Sequence, residues 1–174
     1  MVAATFDAFL GEALPGLARY AHVLTGDRHA AEDLLQDTLL KAFRGWRRVR
    51  ADGNPVAYVK TIMVRTHISR WRARRPAHPI GDEAGFPADR GGYDRIDDRD
   101  VLHRALSTLS PLQRAVLVLS FLDEQSDAEI AIAVQRRPAT VRSLRARGLH
   151  ALRAVLGDDA MADITGGGED GASA

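Results

Sequence analysis

The segment at residues 76–95, PAHPIGDEAGFPADRGGYDR, constrains this chain more than any other. It holds three prolines and four glycines and has no apolar period. Proline fixes φ and lacks a backbone N–H, and glycine resists regular structure on entropic grounds, so neither a helix nor a strand is expected to run through it. On both sides of it the apolar residues recur at helical spacing, with almost no strand-like alternation. A chain of 174 residues divided at that point can form two small helical modules, at about 5–75 and 96–156, each with its own core. The expected fold class is all-α, with two small helical modules joined by a flexible linker at 76–95. From Gly157 onward the sequence GDDAMADITGGGEDGASA is acidic and rich in glycine, and residues 157–174 are expected to be a disordered tail.

Several function classes are disfavoured at once. With no cysteine, the chain has no disulfide framework, no thiolate metal site and no thiol nucleophile. The six histidines are scattered without metal-ligand spacing. No glycine-rich phosphate loop or nucleophile elbow is present. Neither an enzyme nor a metal- or cofactor-binding protein is expected. No apolar run approaches the roughly 18 residues of a membrane span, and the N-terminus, MVAATFDAFLGEALPG, lacks the charged-then-apolar order of a secretory signal. The expectation is a soluble cytoplasmic protein with no membrane partner.

The formal net charge is only +1, but it is unevenly spread. Residues 41–75 carry eleven Lys or Arg against one acid, Asp52, and residues 136–153 carry six Arg and no acid. Solvated helix faces usually mix their signs, so two single-sign blocks in acidic surroundings suit a polyanion. Only two of the 24 basic residues are lysine. That bias fits phosphate and base-edge recognition, and equally fits GC-rich coding, so the positions of the arginines carry the argument.

In the second module the helix starts are legible. Ser110-Pro111-Leu112-Gln113 and Ser126-Asp127-Ala128-Glu129 are capping boxes, the first with proline at the first helical position. The run LQRAVLVLSFL behind the first is apolar on most sides and predicts the buried centre. The second box opens a short helix through about Val134. A turn at Gln135, Arg136 and Arg137 follows, and Pro138 starts a helix to about Leu156, so the unit reads as a helix-turn-helix. At about 100° per residue, Val141, Leu144, Gly148, Leu152 and Val155 form the inward stripe of that last helix. Ala139, Arg142, Ser143, Ala146 and Arg153 face out, with Arg147 at their edge and Arg145 flanking the stripe. Small residues let a helix enter a major groove, and arginines reach phosphates and guanine edges. Arg142, Ser143, Arg145, Ala146 and Arg147 are the candidate duplex contacts.

In the first module Asp27 is expected to cap a helix through HAAEDLLQDTLLKAF. Ala31, Leu34, Leu35, Thr38 and Ala42 turn inward. Asp33, Asp37, Leu40 and Arg44 face out, with Gln36 beside them. Acids steer a basic partner and an apolar residue anchors it, while a lone exposed leucine also occurs on ordinary surfaces. Pro55 starts a basic helix, PVAYVKTIMVRTHISRWRARR, with Val59, Ile62, Thr66 and Ala73 as its inward stripe and Val64, Ile68 and Trp71 outside it. Arginines interleaved with aromatics suit single-stranded nucleic acid, where bases stack on rings. Trp71 is the expected exposed aromatic; Trp46 and Tyr58 fit either that role or the core.

These segments together resemble an extracytoplasmic-function (ECF) sigma factor of bacterial RNA polymerase, and more narrowly the SigE-like actinobacterial group. LTGDRHAAEDLLQDTLLKAFRGW is similar to region two of the family, whose acidic helix docks on the β′ clamp helices of the polymerase. The resemblance implies Asp33, Gln36, Asp37 and Leu40 as polymerase contacts. NPVAYVKTIMVRTHISRWRARR resembles the part that recognises and melts the minus-ten element, which implies Asn54, Arg65, Arg70, Trp71, Arg72 and Arg74 as contacts there. LSTLSPLQRAVLVLSFLDEQSDAEIAIAVQRRPATVRSLRARGLHALR resembles region four, which reads the minus-thirty-five element and meets the β flap. Implied partners are core RNA polymerase, promoter DNA both duplex and single-stranded, and an anti-sigma factor. The linker acids would thread toward the polymerase active-site channel.

Three positions depart from the family pattern. Gln135 stands where the turn usually has Gly, Arg137 where a Ser-like cap is usual, and Arg65 where Asn is frequent. A left-handed Gln costs about 1 kcal/mol relative to Gly, and loss of the cap about as much again. The rival reading is a helix-turn-helix regulator that binds DNA without polymerase. It accounts for residues 110–156 and leaves the first module's acidic face and basic helix without a task.

Overall fold

Asp27 does cap a helix, and similar local signals start most of the others. In the computed structural model, which describes residues 5–49, 53–74 and 98–166, the elements run α1 (Phe6–Thr25), α2 (Arg28–Gly45), a 3-10 turn (Trp46–Arg48), α3 (Pro55–Arg74), α4 (Asp98–Ser107), α5 (Pro111–Phe121), α6 (Asp127–Val134) and α7 (Pro138–Gly166). No strand occurs among the described residues. The chain separates into two compact units, residues 1–78 and 79–174. The linker expected at 76–95 lies outside the described residues.

In the first unit Thr5 Oγ1 accepts the Ala8 N–H at 3.2 Å and Asp27 Oδ1 accepts the Ala30 N–H at 2.7 Å, starting α1 and α2. Gly26, at φ 69°, closes α1 in the left-handed region where glycine is favoured. The three helices pack pairwise. Leu17, Tyr20, Ala21 and Leu24 of α1 and Ala31, Leu34, Thr38 and Ala42 of α2 are buried.

The expected inward face of α3 needs correction. Val59 and Thr66 are buried, but Ile62 is only half-buried and Ala73 is exposed. Val64, Ile68 and Trp71, expected outside, are buried along with Met63. The cause is that α3 packs on both α1 and α2. It buries two stripes, Val59-Met63-Thr66 and Val64-Ile68-Trp71, set roughly 140° apart at helical spacing. A search for a single apolar stripe finds only one of them. Trp46 belongs to an aromatic cluster, with ring centroids 4.9 Å from Phe6 and 4.8 Å from Phe9. The Tyr58 hydroxyl lies against Gly45, where a Cβ would approach it to 2.3 Å.

In the second unit α7 packs on α4, α5 and α6, and α5 is the most deeply buried element, with Leu112, Ala115, Val116, Leu117, Val118 and Leu119 all buried. Both capping boxes form with both reciprocal hydrogen bonds. Arg114 is buried in α5, donates to the Leu106 carbonyl at the end of α4, and has its pKa pushed down to about 10 by that burial. Gln135 takes up the left-handed conformation, φ 53° and ψ 52°. The N–H of Arg136 reaches the Ala131 carbonyl at 2.9 Å and that of Gln135 the Ile132 carbonyl at 3.4 Å, a Schellman closure with Gln in the position glycine usually takes. Arg137 has no acceptor on its side chain, so α7 starts with Pro138, whose missing N–H removes one orphan donor.

Along α7, Val141, Leu144 and Leu152 are buried, and a Cβ on Gly148 would sit 3.0 Å from Leu117 Cδ1, so α5 and α7 approach closely there. Val155, expected on this stripe, is 42 % exposed. The inward face turns toward α4, and Leu149, Leu152 and Leu156 pack with Ala105, Leu109 and Leu117. The helix also outlasts its expected end at Leu156. Gly157, at φ 80° and ψ 171°, interrupts it and helix resumes to Gly166. That backbone conformation is almost confined to glycine. The rest of the expected tail, 167–174, lies outside the described residues.

Candidate nucleic-acid interface

The outward face of α7 follows from its packing. With Val141, Leu144, Gly148 and Leu152 committed to the core, Ala139, Arg142, Ser143, Ala146 and Arg153 are exposed and Arg147 is half-buried at their edge. The Arg142 side chain is 61 % exposed. Arg147 Nε lies 3.4 Å from the Ser143 carbonyl, one turn back. This face combines small side chains with guanidinium groups that extend beyond them, a surface able to approach a groove and bond phosphates or base edges.

Arg145 is placed differently from its neighbours. Its Nε donates to Ser120 Oγ of α5 at 2.9 Å, and its terminal nitrogen donates to Asp127 of α6. Only a quarter of its side chain is exposed. Asp127 also faces Arg142 at 3.5 Å. The Arg145 hydrogen bond, followed by the charges of both arginines, holds the Asp127 carboxyl below the usual carboxylate range. In the sequence Asp127 stands only as a member of the Ser126 capping box. The ion pairs it makes span 15 and 18 residues, beyond any local pattern.

In the first unit the candidate docking residues share one face of α2. Asp33, Gln36 and Leu40 are exposed, Leu40 by 58 %, and Asp37 is half-exposed. Phe43, not singled out from the sequence, is 62 % exposed, with its ring 5.3 Å from that of Phe6. It lies one turn beyond Leu40, so the i, i+3 spacing was the available signal.

The candidate residues on and before α3 do not form one surface. Arg65 and Arg74 are exposed and Arg72 is half-buried. Arg70 turns back to α2, where one nitrogen donates to the Asp33 carbonyl and to the Asp37 carboxylate. Asn54 caps α3, its Oδ1 accepting the Ala57 N–H at 3.0 Å. Trp71, expected to be exposed, is 9 % accessible and presents no face for stacking. Both lysines are engaged within the unit: Lys41 Nζ donates to Thr66 Oγ1 at 3.0 Å, and Lys60 lies 4.6 Å from the centre of the Tyr20 ring. Among the described residues no group of three His, Asp or Glu side chains could hold a metal ion, and no helix is long and apolar enough to cross a membrane.

Residues 10–76 match Sigma-70 region 2 and residues 99–152 match Sigma-70, region 4. The chain is 31 % identical over 152 residues to the RNA polymerase sigma-E factor of Streptomyces coelicolor, covering 87 % of this chain and 85 % of that protein. It is 32 % identical over 160 residues to the ECF RNA polymerase sigma factor SigL of Mycobacterium tuberculosis, covering 88 % and 90 %. Among solved structures it is similar to the sigma factor RpoE of Bartonella quintana, crystallised in complex with the anti-sigma factor NepR. The TM-score is 0.60 at 29 % identity, over 87 % of this chain and 96 % of that one.

Proposed function

This chain belongs to the ECF sigma factors of bacterial RNA polymerase, with SigE-like relatives, and from that premise we propose how its two units divide the work. As a sigma factor it binds core RNA polymerase and directs promoter-specific initiation of transcription. Residues 5–75 act as region two and residues 96–156 as region four, and the protein works in the cytoplasm without catalytic chemistry of its own.

In this reading α2 docks on the polymerase clamp through Asp33, Gln36, Asp37 and Leu40, and Phe43 extends the apolar part of the contact. The acids steer a basic partner, and desolvation of Leu40 and Phe43 supplies the anchor. Arg65, Arg72 and Arg74 track the backbone of the opened strand. Flipped bases are captured beside α3, offsetting the few kcal/mol that unstacking costs, and Trp71 serves this indirectly by holding α3 in place. In the second unit α7 reads upstream duplex through Arg142, Ser143, Ala146 and Arg147, while the other faces of the unit meet the β flap. The complex reported for RpoE makes an anti-sigma factor a reasonable further partner here.

The observation that carries this reading is the exposure of Arg142 on a helix whose opposite face is buried. The test is transcription from genomic fragments by core polymerase with the purified protein. Arg142→Ala is expected to abolish most factor-dependent transcription while leaving capture of core enzyme intact. Asp33→Ala with Asp37→Ala should fold normally and compete poorly for core. Undiminished competition by the double variant, or loss of core binding by Arg142→Ala, would overturn the assignment of faces.

A further inference from the structure

Asp127 opens α6 and lies between two arginines of α7. One carboxylate oxygen accepts from Arg145, which Ser120 of α5 also holds, so Asp127, Arg145 and Ser120 join three helices. The other oxygen faces Arg142 Nη1 at 3.5 Å. That separation keeps the ion pair but is too long for a tight hydrogen bond. The Asp127 side chain is 27 % exposed and that of Arg142 61 %, so the acid is fixed from behind while the paired arginine presents its outer side to solvent.

A fixed negative charge at this place has a specific consequence. Binding to arbitrary duplex is driven by phosphate neutralisation and counterion release, and so depends on the net charge the surface presents. A carboxylate beside Arg142 offsets part of that charge. Recognition of a base edge depends instead on the direction of the guanidinium, since a guanine takes two of its donors at once. The same carboxylate restricts that direction. Weakening of indiscriminate contacts together with alignment of the discriminating one raises the ratio between them.

We propose that Asp127 is a positioning residue for promoter discrimination, aiming Arg142 at a base edge and damping its attraction to phosphates at other sequences. The proposal rests on the assignment of α7 as the duplex-reading helix. Arg145 then belongs to this support and contacts no DNA.

The test uses holoenzyme reconstituted from core polymerase and the full chain. The probes are a promoter fragment obtained from the transcription experiment above and the same fragment with its upstream element permuted. Asp127→Asn is expected to bind the permuted fragment about three- to tenfold more tightly, with a salt dependence steeper by up to about one unit of slope. The ratio of promoter to permuted binding should fall. In an Arg142→Ala background, Asp127→Asn should change that ratio no further. An unchanged ratio in Asp127→Asn, or an equal loss in both backgrounds, overturns the proposal and leaves Asp127 as a fold-stabilising residue only. Asp127→Glu guards against misfolding: it keeps the charge and a tie to Arg145 but moves the carboxylate by one methylene. It should lower the ratio at an unchanged melting temperature, and full discrimination in it counts against the proposal. If Arg142→Ala itself leaves DNA binding untouched, the assignment of α7 fails instead.

Discussion

Replacing Gln135 by glycine should stabilise the second unit. Gln135 sits at φ 53° and ψ 52° with an exposed side chain. An L-residue held in the left-handed region is strained by about 1–2 kcal/mol relative to glycine. Glycine returns part of this, about 0.4–1 kcal/mol, through the greater entropy of its unfolded chain. The net gain is about 0.5–1 kcal/mol, which for a unit of this size raises the melting temperature by about 3–6 °C. The backbone hydrogen bonds from Gln135 and Arg136 to the carbonyls of Ile132 and Ala131 survive the change, because neither uses a side chain. Differential scanning calorimetry of the full chain is the suitable assay, since the two units can melt as separate transitions. Only one transition should move. Gln135→Val should move the same transition down, because a β-branched side chain is more strongly disfavoured at positive φ. A fall in melting temperature for Gln135→Gly, or no shift in either variant, would mean that the turn is not left-handed in solution.

Two further outcomes follow from the packing. Trp71→Ala should destabilise the first unit by about 3–5 kcal/mol, as for other buried aromatics, and tryptophan emission of the native protein should include a blue-shifted, buried component; an unaltered melting curve with defective strand opening would instead indicate a stacking role. The acid limb of stability in the second unit should depend on Asp127 and Glu129. Hydrogen bonding from Arg145 lowers the first, and hydrogen bonding from the hydroxyl and then the backbone N–H of Ser126 lowers the second. A carboxylate with a lowered folded-state pKa contributes fully above its unfolded value, about 4, and loses that contribution as pH falls through the folded value. Urea unfolding between pH 6 and pH 2 should therefore show a shallower acid limb in Asp127→Asn, and an identical slope would refute the pairing.

The docking and reading faces proposed for α2 and α7 would make different demands on the fold. α2 presents an acidic, partly apolar surface that needs little precision, since electrostatic steering tolerates small displacements. In the proposed reading α7 has to point one guanidinium; α5 and α6 pack against its opposite face and are tied to it through Arg145. The Arg70 bridge plays a comparable part in the first unit, where it fixes the Asp37 carboxylate and the α2 backbone at Asp33.

Local chemistry made much of this legible in the sequence. Caps act over three or four residues, so Asp27, Ser110 and Ser126 announced their helices, whereas the left-handed turn at Gln135, where the family pattern has glycine, was settled by the backbone. The proline- and glycine-rich break separated the modules, and the one-sided helices α2 and α7 displayed their outward faces through a single apolar period. Tertiary structure decided what that period could not express. α3 meets two partners and buries two stripes, which drew Trp71 inward. Arg70 and Arg145 were chosen by partners 33 and 18 residues away, so their charges serve the fold while Arg142, three residues from Arg145, stays exposed. The physical reason is range: hydrogen bonds within one helical turn are written in adjacent residues, whereas a charge or an aromatic ring takes its role from whatever the folded chain brings beside it.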